Sequence, residues 1–77
     1  MPWGSVTITY GPTGYTQNYK RNNVVTHGDC ANLVEDAVTD SINRLVANGV
    51  PAAGLIVNRL NINQNMAADP GPNYRVI

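Results

Sequence analysis

Residues 5–10 alternate between apolar and hydroxyl-bearing side chains. A period of two in residues of this kind is typical of a half-buried β-strand. Residues 11–14 then supply two glycines and a proline, which favour a tight turn. We therefore expect residues 15–25 to return as a second strand and to form a hairpin with the first.

A helical period governs residues 30–48, where apolar side chains recur every three or four positions. Asp29 is expected to cap the amino end, and Gly49 to adopt the left-handed conformation that ends many helices. Asp40 and Arg44 are spaced for an ion pair within the helix. The predicted apolar face comprises Ala31, Leu33, Val34, Ala37, Val38, Ile42 and Leu45.

A third strand is predicted over residues 55–63, which begin with an apolar run. Strict alternation assigns Ile56, Leu60 and Ile62 to one face and Leu55 and Val57 to the other. One helix covers only one face of a small sheet, so apolar side chains on both faces leave a second apolar side. We expect a partner subunit to cover that second side.

The carboxyl-terminal residues predict a turn at Asp69–Pro72 and an optional fourth strand at Tyr74–Ile77. Together the elements predict one domain over residues 1–77. Its fold class is α+β, with a small antiparallel sheet in the order β-β-α-β, an optional fourth strand, and one amphipathic helix packed on one face.

Charge is sparse, with five basic and five acidic residues among 77. This balance argues against a dedicated binder of nucleic acid, which would carry clustered lysine and arginine. No apolar run approaches the roughly 20 residues of a transmembrane helix, and the amino end lacks the pattern of a signal peptide. We expect no membrane association and a cytoplasmic location.

The inventory of reactive side chains is small, with one cysteine and one histidine. His27 and Cys30 flank the predicted start of the helix, where an activated thiol could form. The favoured interpretation makes Cys30 a small apolar residue near the core. His27, Asp29, Cys30 and Glu35 match no metal-ligand spacing, so we expect no cofactor, no metal and no enzymatic activity.

Eleven asparagines and a net charge of zero describe a neutral surface rich in hydrogen-bonding groups. Such a surface provides little charge repulsion against self-association. We expect a protein-interaction or self-assembly module, with a homodimer as the simplest partner arrangement and a different protein as the other. A viral structural or anti-host role is the predicted setting. The predicted interface comprises Leu55, Val57, Tyr74 and Val76.

Two alternatives remain open at this point. A small-ligand or nucleotide module could use tyrosines and asparagine amides at an oligomer interface. A weak binder of single-stranded nucleic acid could stack bases on the hairpin tyrosines and hold phosphates with adjacent cations. The contact residues of this second alternative would be Tyr10, Tyr15, Tyr19, Lys20 and Arg21.

Overall fold

A computed structural model of the chain describes residues 2–65 and 73–77. A four-stranded sheet carries one long helix on one face. The α+β class with one covering helix is therefore confirmed. The elements are β1 (Trp3–Gly11), β2 (Tyr15–Asn22), α1 (His27–Ala47), a single 3-10 turn (Ala52–Gly54), β3 (Ile56–Asn65) and β4 (Arg75–Val76).

The sheet is mixed, although its larger part is antiparallel as predicted. β1 pairs antiparallel with both β2 and β3, whereas β4 pairs parallel with β2. The Ile77 amide donates to the Lys20 carbonyl, and the Arg21 side chain donates to the Ile77 carbonyl. The carboxyl-terminal segment therefore pairs within its own chain. The turn predicted at 69–72 lies outside the described residues.

The second strand ends at Asn22, short of the predicted Val25. Asn23 has a φ of 63°, a left-handed conformation that asparagine tolerates better than most residues. Its amide donates to the Pro2 carbonyl over 2.8 Å. The chain therefore leaves the sheet at this residue and turns toward α1.

Alternation along β1 divides the sheet into a helix face, which packs against α1, and an open face on the opposite side. Val6, Ile8 and Tyr10 are fully buried on the helix face. Gly4 lies on the same side, where a Cβ atom would come within 2.9 Å of the Val24 side chain. The buried core also includes Tyr19, Val24, Leu33, Ala37 and Leu45.

The predicted helix face is largely confirmed. Leu33, Ala37 and Leu45 are buried, and Val34, Val38 and Ile42 pack partly buried against the core. Ala31 differs from the prediction because it is exposed. Ser41 takes a core position instead, where its hydroxyl bonds to the Tyr10 hydroxyl and donates to the Val38 carbonyl.

The helix begins earlier than predicted, and the assignment of Asp29 as its cap is wrong. Thr26 is the cap residue, and its hydroxyl accepts from the Asp29 amide. The Asp29 carboxylate accepts in return from the amides of Thr26 and Val25. These hydrogen bonds lower the pKa of Asp29. Asp29 is therefore the third helical residue of a capping box.

The carboxyl end of α1 has the predicted glycine cap. Gly49 adopts a φ of 89°. Its amide donates to the Val46 carbonyl, and the Val50 amide donates to the Leu45 carbonyl, each over 3.0 Å. This pair of bonds defines a Schellman motif and requires a residue that accepts positive φ.

Gly49→Val is expected to lower the free energy of unfolding by at least ~1 kcal/mol, because a β-branched residue resists the left-handed region. Gly54→Val is the control, since nothing lies within 4 Å of a Cβ atom at Gly54. Urea unfolding of both variants compares the losses. Equal losses would contradict the role of Gly49 as a conformational cap.

Candidate interaction surface

β3 is the outer strand on one side of the sheet and is ten residues long. Within residues 2–65 and 73–77, no strand pairs with its outer side. Alternate amides and carbonyls along such a side have no sheet partner and form a template for another strand. The outer side of β3 is called the β3 edge below.

A β-bulge interrupts the pairing of β3 with β1. Thr9 pairs with Arg59, but the next residue, Tyr10, pairs with Val57. Asn58 is therefore an extra residue on β3, and the alternation of side chains shifts by one position across it. This shift decides which apolar residues of β3 share a face.

The prediction that Val57 points away from Leu60 and Ile62 is wrong, because the bulge restores Val57 to their face. These three residues pair with Tyr10, Ile8 and Val6, which all lie on the helix face. Ile56 is instead the residue on the open face, opposite Gly11. Leu55 precedes the strand and packs partly buried against the core.

An apolar groove of about 490 Å³ runs between α1 and β3. Ile62 forms the sheet side of this groove and remains 46% exposed. Val57 on β3 and Val46 on α1 are also exposed. The groove is lined by His27, Cys30, Ala31, Val34, Glu35 and Ile62. It adjoins the β3 edge, so an added strand would cover part of it.

His27 and Cys30, considered above as a reactive pair, both contribute to the groove wall. Among the described residues, no three histidine, cysteine, aspartate or glutamate side chains cluster as metal ligands. The arrangement gives Cys30 the role of a small, partly buried apolar wall residue. The absence of an enzymatic activity stays a prediction.

Most described side chains on the open face of the sheet are polar and none is a carboxylate, although Trp3 and Ile56 also lie on this face. Its side chains bond to one another across strands, since the Thr7 hydroxyl donates to the Asn18 amide oxygen over 2.9 Å. The face also holds two cations, Lys20 and Arg59. Its described polar residues are Ser5, Thr7, Thr9, Thr16, Asn18, Lys20, Asn22, Arg59, Asn61 and Asn63.

Two of the three hairpin tyrosines lie in the core rather than on the surface. Tyr10 and Tyr19 are fully buried, and only Tyr15 exposes a substantial part of its ring. The Tyr19 hydroxyl donates to Asp40 over 2.8 Å. The structure therefore does not form the three-tyrosine stacking platform that binding of single-stranded nucleic acid would use.

The basic residues beside these tyrosines are also partly buried. Arg21 pairs with Asp36 over 2.6 Å and donates to the Ile77 carbonyl. Lys20 is half-buried on the open face. The hypothesis of nucleic-acid binding loses the joint presentation of aromatic and basic groups on which it depended.

Tyr19, Asp40 and Arg44 form a network between β2 and α1. Burial raises the pKa of Tyr19 well above its usual range, and the neighbouring Asp40 raises it further. The hydrogen bond from Tyr19 lowers the pKa of Asp40, and Arg44, 2.9 Å away, lowers it further. Neutral tyrosine and ionised aspartate are thus the protonation states that the fold favours.

The free energy of unfolding is therefore expected to be level at neutral pH and to fall on both sides. The contribution of Asp40 is complete above its unfolded pKa of about 3.9 and is lost as pH falls through its lower folded value. The contribution of Tyr19 is complete below about pH 10 and is lost as pH rises toward its folded value. Urea unfolding across pH measures both.

Tyr19→Phe tests the alkaline part of this prediction, because phenylalanine cannot ionise. Between pH 9 and 11, about the range in which an ordinary tyrosine ionises, the free energy of unfolding of this variant is expected to fall less than that of the parent. Tyr15→Phe is the matched control, since Tyr15 is exposed. An alkaline loss that Tyr19→Phe leaves unchanged would contradict the assignment.

The remaining predicted interface residues lie away from the β3 edge. Val76 belongs to β4, at the opposite side of the sheet. Tyr74 precedes it and lines a shallow polar notch of about 520 Å³. The notch is lined by Thr16, Gln17, Asn18, Asn73, Tyr74, Arg75 and Val76. The four predicted interface residues therefore do not form one continuous patch.

Comparison of the chain with protein-family models, curated proteins and solved structures finds no match. Within the part of the chain that the structure describes, no helix has the length and apolar character needed to cross a membrane. The β3 edge, the apolar groove and the polar notch are the features of the structure that bear on its function.

Proposed function

We propose that this chain is a non-enzymatic protein-interaction module that assembles with copies of itself through the β3 edge. The observation that carries this proposal is the position of an apolar groove beside the longest outer strand of the sheet. An added strand can gain backbone hydrogen bonds from the edge and apolar contacts from the groove.

The sequence of β3 supports pairing more than protection. Sheet edges are commonly protected from association by proline, bulges or charged side chains. β3 has a bulge at Asn58 and a charge at Arg59, both near its start. Residues 60–65 contain no charge, proline or glycine, a composition that favours pairing between identical strands.

The small size and zero net charge of the chain also favour self-association. A domain of this length buries only about 60–65% of the surface of its unfolded chain, so further burial in an assembly adds useful stability. A formal net charge of zero provides little long-range repulsion between copies. Self-association is therefore favoured over a solitary monomer.

Sedimentation equilibrium of the unmodified chain tests the proposal. Over the micromolar range we expect a species of twice the chain mass of 8.3 kDa, or larger, in equilibrium with monomer. A monomer at every concentration up to about 1 mM, corresponding to an association weaker than roughly 4 kcal/mol, would contradict it. The predicted viral structural or anti-host setting rests on composition alone and stays a prediction.

The polar notch favours the small-ligand alternative as a second candidate. Its lining includes residues with amide side chains together with Tyr74 and Arg75, residue types that suit a small polar anion. Native mass spectrometry of the purified chain tests this candidate. A retained small molecule that Arg75→Gln releases would support it, and a ligand-free parent mass would contradict it.

A further inference from the structure

We propose that two copies of this chain join their β3 strands in antiparallel fashion, about a two-fold axis that passes midway between the two copies of Asn61. This inference rests on the proposed function and names the register of the assembly. Under it, the two four-stranded sheets become one continuous sheet of eight strands, with both helices on the same side.

Side-chain alternation restricts where such an axis can lie. Directly opposed residues of two antiparallel strands point to the same face. When the axis passes between the two copies of one residue, the numbers of directly opposed residues differ by an even number. Helix-face residues then lie opposite helix-face residues. An axis between two residues would instead oppose Asn61, which pairs with Thr7 on the open face, to Ile62 on the helix face. Only axes through a residue are therefore compatible with the sheet.

Among those axes, the one through Asn61 makes the best use of the apolar side chains. It places Leu60 opposite the partner's Ile62, and Ile62 opposite the partner's Leu60. Both residues lie on the helix face, and Ile62 lines the groove. Two apolar cross-strand pairs form, and such pairs are the main side-chain contribution to strand pairing.

The neighbouring axes are poorer. An axis through Ile62 would oppose Leu60 to Gln64, whose amide already donates to the carbonyls of Val24 and Val25. An axis through Leu60 would oppose Ile62 to the bulged Asn58, where regular pairing is lost. The Asn61 axis keeps Leu60 and Ile62 clear of both positions, because Asn58 and Gln64 oppose each other one pair further out, where regular pairing ends.

The polar side chains are also compatible with this axis. On the open face, Asn61 meets the partner's Asn61, and Arg59 meets the partner's Asn63. The two Arg59 positions lie four residue steps apart along the strands, about 13 Å, which exceeds the Debye length of about 8 Å at physiological salt. The register therefore opposes no like charges directly.

Disulfide cross-linking tests the register in a Cys30→Ala background, which removes the native thiol. Asn61→Cys would place two cysteines directly opposite, at a Cα separation of about 4.5–5.5 Å that a disulfide spans. Asn63→Cys is the matched control, because it is exposed on the same face and strand, yet its two copies would lie about 13 Å apart.

Mild oxidation is carried out at a protein concentration above the dissociation constant. We expect Asn61→Cys to form a covalent dimer in at least about tenfold greater yield than Asn63→Cys. A mixture of Arg59→Cys and Asn63→Cys chains is expected to form the mixed dimer. Preferential cross-linking of Asn63→Cys alone, or equal yields of Asn61→Cys and Asn63→Cys, would overturn the register. The proposed function would still stand if sedimentation showed a dimer. A monomeric parent would overturn both.

Discussion

Ile62→Lys is expected to raise the dissociation constant of the assembly by at least about 100-fold, or roughly 2.7 kcal/mol. Each dimer would contain the substitution twice, and each lysine would place an ammonium group against apolar residues at the centre of the contact. Removing a charge from water without a partner carries a large cost. Sedimentation equilibrium of the variant and the parent measures the change.

Asn43→Lys is the control for added charge, because Asn43 is an exposed residue of α1 outside the groove. It is expected to leave the dissociation constant within a few-fold of the parent. Ile62 is 46% exposed in the single chain, so the lysine can extend into water and the monomer should fold. Equal dissociation constants for both variants and the parent, with circular dichroism unchanged, would exclude Ile62 from the contact.

Leu33→Ala is expected to lower the free energy of unfolding by roughly 2–5 kcal/mol. Leu33 is fully buried between α1 and the sheet, so truncation loses apolar burial and leaves a cavity in a small core. A loss of this size is a large part of the stability of a domain with so few buried residues. Urea unfolding at one fixed protein concentration measures it.

Val46→Ala provides the comparison within the same helix, because Val46 is exposed. It is expected to cost less than about 1 kcal/mol. If the two substitutions had the same cost, Leu33 would not be a core residue and the orientation of α1 would be in error.

The helix was the most predictable element because several local signals agree over a long segment. Its apolar period, Gly49 and the ion pair of Asp40 and Arg44 all appear in the structure. Its start was misplaced because Thr26 and Asp29 are both good capping residues, and sequence does not show which side chain meets which amide. The reciprocal bonds between them make Thr26 the cap.

The faces of β3 could not be predicted because a bulge is invisible in a period-of-two pattern. Asn58 has an ordinary strand sequence around it, yet one extra residue there reverses the assignments of Ile56 and Val57. The buried state of Tyr10 and Tyr19 was equally hidden. It depends on their hydroxyls meeting Ser41 and Asp40, more than twenty residues away.

The candidate site was predictable in kind but not in place. Apolar excess in the third strand predicted an interface at Leu55–Ile62, but pattern alone does not reveal which strand ends the sheet. The order β3-β1-β2-β4 supplies that information and leaves Ile62 beside an open groove. It also separates Val76 from β3 by the width of the sheet.

Residue-resolved hydrogen exchange along β3 tests self-assembly through this edge most directly. Alternate β3 amides bond to β1, and the amides between them point outward. At concentrations above the dissociation constant, we predict that the outward amides of residues 59–63 exchange at least about tenfold more slowly than in the Ile62→Lys chain. Outward amides that exchange equally fast in both proteins and at every concentration would contradict assembly through the β3 edge.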